Sequence, residues 1–175
     1  MDNQSQTNSN ISCCFTGHRP EHLPWGHTQT RQDCMDFYLK LCRATEEMID
    51  DGCRIFYCGM ARGVDLMAAQ IVLGLREARP ELHLKLIAVC PHADQASLWN
   101  AKDKQMYQVL LSMADEVVTI EPHYSPSCFH RRNRFMVDNC DYVIAGFDGV
   151  TKGGTASTVA YAKRRGKRIL MVPPA

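Results

Sequence analysis

The chain has 175 residues with 20 basic and 19 acidic side chains, a formal net charge of +1, so no overall field draws it to nucleic acid or an anionic membrane, and any anion site must be local. Its nine cysteines include no CxxC pair and fall mostly in apolar runs, which argues against disulfides and zinc, favours reduced core thiols and leaves no metal site expected. No apolar run approaches the roughly 18 residues of a membrane span, and no signal-peptide pattern opens the chain, so a cytoplasmic protein is expected.

Residues 1–10, MDNQSQTNSN, are polar and aperiodic and read as a disordered lead-in to a single domain over 11–175. Beyond them short apolar runs alternate with amphipathic segments. ISCCF (11–15) is the first expected strand, and the loop TGHRPEHLPWG (16–26) follows it. Cys34, Tyr38, Leu41, Thr45, Met48 and Ile49 then keep helical spacing, with Gly52 as C-cap. CRIFYC (53–58) is the second strand; after the loop GMARGVD (59–65), Val64, Met67, Ala68, Ile71, Val72 and Leu75 form a second helical stripe, ended by Pro80. LKLIAVC (84–90) is the third strand, closed by Pro91, and His92 in the loop CPHADQASLW (90–99) reads as an ordinary exposed residue. A helix near 102–114, the strand EVVTI (116–120), a helix over 128–140 and the strand DYVIAGF (141–147) come next. A glycine-rich loop then leads to a helix over 155–165, closed by Gly166, and to the strand RILMVP (168–173). This alternation predicts an α/β, Rossmann-like doubly wound domain, with a mostly parallel sheet of about six strands and helices on both faces.

Ligands of such sheets bind beyond the carboxyl ends of the strands, so those loops carry the candidate site. After the first strand, Thr16 and His18 offer side-chain donors, Gly17 permits close backbone approach, and Arg19 suits a phosphate or carboxylate. In GMARGVD, Gly59 and Gly63 allow a sharp turn into a helix N-terminus, and Arg62 is placed to meet an anion. Asp65 either complements that N-terminus or contacts a ribose hydroxyl. The spacing matches neither GxGxxG nor a P-loop. On the helix CFHRRNRFMVDNC, Asn133 interrupts the apolar stripe of Phe129, Met136, Val137 and Cys140, so either the protein or a ligand must satisfy its amide; of the neighbouring arginines, Arg132 is the one placed to reach inward. In KGGTAST, Lys152 supplies charge, Gly153 and Gly154 supply backbone N–H groups, and Thr155 is the expected N-cap, with Thr158 one turn on. The basic run KRRGKR (163–168) reads as a solvated helix end.

These motifs in this order bring a family into view. GMARGVDLMAA and KGGTASTVAYAKRRGKRILMVP resemble segments of the DNA-processing Smf/DprA proteins, and RNRFM…D…DYVIAG before a GGT loop is similar to the Lonely Guy (LOG) phosphoribohydrolases. Both belong to the SLOG superfamily, and TGHRPE, PHADQASLW, ADEV and RNRFMVD resemble its YpsA-like branch over nearly all of residues 12–173. The resemblance implies a nucleotide-derived or ADP-ribose-like ligand held across these loops, with no established reaction. LOG enzymes pair an arginine on the preceding helix, matched by Arg132, with a glutamate that this chain replaces by Thr158, so no complete catalytic set is expected. LOG-like N-glycosidic hydrolysis and Smf-like single-stranded DNA binding are the alternative readings. No cofactor is implied. Domains of this type often pair, so a homodimer is one expected assembly.

Overall fold

The computed structural model describes residues 10–150 and 152–175. The lead-in read from the sequence therefore lies outside the described residues apart from Asn10. Six strands, β1 (Ile11–Gly17), β2 (Cys53–Cys58), β3 (Lys85–His92), β4 (Glu116–Glu121), β5 (Tyr142–Gly146) and β6 (Arg168–Met171), alternate with five helices. The helices are α1 (Gln32–Asp50), α2 (Val64–Ala78), α3 (Ala101–Met113), α4 (Cys128–Asp138) and α5 (Gly154–Arg164). All strands pair in parallel, in the order β4-β3-β2-β1-β5-β6. The expected α/β architecture holds, with the sheet wholly parallel.

Side chains alternate between the faces along each strand. Cys13 and Phe15 of β1 and Leu86 and Ala88 of β3 join a large core with α1, α2 and α3, whereas Cys14, Ile87 and Val89 join a smaller one with α4 and α5. Helices on both faces are why these strands read as continuous apolar runs. The nine cysteines are free thiols, eight buried and Cys42 half-buried; burial pushes Cys13 and Cys58 well above the ordinary thiol range. Among the described residues no helix is long and apolar enough to cross a membrane.

Most element ends differ from the sequence reading by one or two residues, the first strand running on through Thr16 to Gly17, and two of the differences bear on the site. The third strand runs through Pro91 to His92, because β2 pairs with it only as far as Ala88 and the last residues pair with β4 alone. A missing N–H is tolerated where one flank of a strand is already open. The final helix starts at Gly154, and Gly153, at φ 144°, rather than Thr155, occupies its N-cap. That backbone conformation is one a threonine would adopt only with strain.

The chain winds outward from β1 to β4 and then returns to lay β5 against the free side of β1. Connections leaving β1 and β5 consequently diverge to opposite faces, and the crevice between them is the topological switch point, where open α/β sheets place ligands.

Candidate functional site

The crevice is anchored at His18. Its N–H donates to Gly146 O at 3.1 Å and its carbonyl accepts from Val64 N–H at 3.2 Å, so the backbone of this one residue ties the exit of β1 to the end of β5 and the start of α2. Gly63 makes this approach feasible: at φ 89°, a Cβ there would lie 2.5 Å from His18 O. The sharp turn expected of GMARGVD is thus a close packing of two strand-end loops.

Above this junction opens a cleft of about 400 Å³. Thr16, Gly17, His18 and Arg19 form one wall, and Lys152, Gly153, Gly154 and Thr155 another; Arg132 and Asn133 of α4 and Asp65 of α2 complete it. The first backbone bond of α5 runs from Ser157 N–H to Gly153 O at 3.0 Å. The N–H groups of Gly154, Thr155 and Ala156 have no helical carbonyl behind them, and a helix start of this kind favours anions.

At the back of the cleft lie two buried charged groups. Arg132 is 4% exposed and Asp65 6%. The helical phase of α4 turns Arg132 inward, where Nη1 donates to Gly59 O and Nε donates to Asn133 Oδ1 at 2.7 Å. Asp65 Oδ2 accepts from Ala61 N–H at 3.2 Å. Both side chains pack onto Gly59: a Cβ there would lie 2.6 Å from Arg132 Cζ and 2.8 Å from Asp65 Oδ2. Burial pulls the Arg132 guanidinium below its ordinary range, opposed by Asp65.

Burial likewise raises the Asp65 carboxyl, opposed by Arg132, the Ala61 N–H and Arg19. The folded protein therefore keeps this proton to higher pH than the unfolded chain does. The stability linked to it is complete below the unfolded value and is lost as pH rises through the folded one. In urea unfolding, the wild type is expected to lose stability relative to Asp65→Asn across that window and to hold a constant difference on either side of it. A pH-independent difference throughout would contradict the raised carboxyl.

The carboxamide of Asn133 finds its partners in two side chains. It accepts from Arg132 Nε, and its Nδ2 donates to Thr158 Oγ1 at 2.9 Å, which in turn donates to Gly154 O at 2.8 Å. Thr158 thereby links α4 to α5 instead of facing the cleft. Arg62 is also elsewhere: Nη2 pairs with Glu21 Oε1 at 2.7 Å, and the guanidinium lies 5.9 Å from the Trp99 ring centroid. Gly59 and Gly63 act beneath the site, through the packing just described.

His92 corrects the expectation of an exposed loop residue. As the last residue of β3 it is buried, with its ring edge-on to Phe129 and Tyr124 and Nδ1 accepting from Asp94 N–H at 3.3 Å. Phe129, His22 and His130 also line the cleft and were not singled out as site residues from the sequence. The α4 period could have found Phe129, three residues before Arg132; its ring lies 5.1 Å from the Arg19 guanidinium. Nothing in the local sequence marks His22 or His130.

Residues 13–172 match the model of the YspA SLOG family, YpsA. The chain belongs to this SLOG family. The SPbeta prophage-derived protein YoqJ of Bacillus subtilis (strain 168) is 31% identical over 138 residues, 71% of this chain and 79% of the relative. A UPF0398 protein of Bacillus pumilus (strain SAFR-032) is 30% identical over 136 residues, covering 76% of this chain and 71% of its own length. Another, from Bacillus thuringiensis (strain Al Hakam), is 27% identical over 155 residues, 87% of this chain and 82% of the relative. The SLOG membership agrees with the resemblance read from the motifs, and these relatives' names specify no substrate or reaction.

Proposed function

We propose that this SLOG domain binds a nucleotide-derived ligand, a nucleoside phosphate or an ADP-ribose-like molecule, in the switch-point cleft, as a sensor or as an enzyme of a reaction still to be assigned. The observation that carries this reading is the convergence of Arg19, Arg132 and Lys152 with the N-terminus of α5 on one cleft. Phosphate oxygens would meet the first-turn N–H groups of Gly154 and Thr155, and the cations would neutralise them. A cleft this compact, in a chain of net charge +1, favours one small anion over a nucleic-acid strand. Hydrolysis of the LOG type is disfavoured because the Thr158 hydroxyl is engaged by Asn133 and Gly154.

Thermal unfolding with AMP, ADP-ribose, cyclic ADP-ribose and NAD tests the reading. A ligand present at about a hundred times its Kd adds about 2.7 kcal/mol to stability, which for a domain of this size raises Tm by roughly 5–10 °C. No shift with any of the four at millimolar concentration would sink the proposal.

A further inference from the structure

Beside the cleft, a groove of about 230 Å³ runs between α4 and α5. The two cavities share His130 and Asn133, so they are adjoining compartments of one surface. Gly153, Gly154 and Thr155 face the cleft, whereas Ser157, Tyr161 and Arg164 face the groove. Those three follow one another at helical spacing, so the stripe leads directly away from the turn that suits phosphate.

The groove is basic. Arg134 and Arg164 lie 5.2 and 5.7 Å from the Tyr161 ring centroid. Neighbouring arginines have carboxylate partners: Arg131 pairs with Glu121 and Arg165 with Asp138. Asp138 also accepts from Tyr161 Oη at 2.9 Å. Among the described residues neither Arg134 nor Arg164 forms an ion pair, and both border the groove.

We infer that the ligand is pyrophosphate-linked: one half occupies the cleft, the diphosphate crosses the α5 N-terminus, and the second half lies along the α4–α5 groove against Tyr161, Arg134 and Arg164. This rests on the nucleotide reading of the cleft and extends it. A nucleoside monophosphate seated in the cleft ends at the helix N-terminus and leaves the groove unused. A nucleotide-sugar or dinucleotide carries ribose hydroxyls or a base past that point, where guanidinium donors and an aromatic ring can hold either.

Calorimetric titration of AMP and ADP-ribose into the wild type and an Arg134→Ala/Arg164→Ala variant tests this. Both arginines are exposed, so the variant is expected to unfold at the wild-type temperature. The wild type should bind ADP-ribose at least about tenfold more tightly than AMP, and the variant should lose that preference while keeping its AMP affinity. Equal affinities in the wild type, a preference that survives in the variant, or a parallel loss for both ligands overturns the groove assignment and leaves the nucleotide reading standing. Binding of neither ligand by the wild type overturns both.

Discussion

Arg132→Met is expected to abolish stabilisation by any anionic ligand of the cleft and to cost the folded protein about 1–3 kcal/mol for each acceptor it leaves unpaired. Methionine retains much of the apolar stem but cannot donate to Gly59 O or to Asn133 Oδ1, the acceptors that Arg132 satisfies. It also removes the positive charge that opposes the desolvation of Asp65. Urea unfolding measures the loss. In the Arg132→Met/Asp65→Asn double variant the total cost should fall well below the sum of the single costs, because neutralising the stranded carboxyl removes much of the penalty. Additive costs would mean that the two residues act independently.

Gly63→Ala is the second large effect. A Cβ at this position would lie 2.5 Å from His18 O, and the backbone is at φ 89°. Steric overlap with a carbonyl that is already hydrogen-bonded, together with left-handed strain, should cost about 3 kcal/mol. The nearest obstacles at Gly59, by contrast, are side-chain atoms of Arg132 and Asp65 rather than backbone. Gly74→Ala is the control: it lies inside α2 with nothing within 4 Å of a new Cβ, and should stabilise by about 0.5–1 kcal/mol. If the two alanine variants unfold at the same denaturant concentration, the close packing at Gly63 is not limiting.

The sequence carried the architecture because burial on both faces writes itself as apolar runs, and helical stripes need only local spacing. The inward turn of Arg132 was legible for the same reason, since its place beside the apolar stripe of α4 sets its direction. What was hidden depends on partners distant in the chain. Arg62 sits beside a glycine turn that suggests an anion, yet Glu21, forty-one positions earlier, takes its guanidinium. Asn133 and Thr158 satisfy each other across twenty-five positions, so the choice between protein and ligand partners could not be made locally. His92 was misread because Pro91 looks like a strand end, and only the register with β4 shows why the strand continues.

The double anchoring of the His18 backbone has a kinetic consequence. With its N–H fixed to Gly146 and its carbonyl to Val64, the root of the β1 loop is ordered before any ligand arrives. A site ordered in advance loses little conformational entropy on binding. Association should therefore be a single fast phase proportional to ligand concentration, and differences between ligands should reside in how long each stays bound.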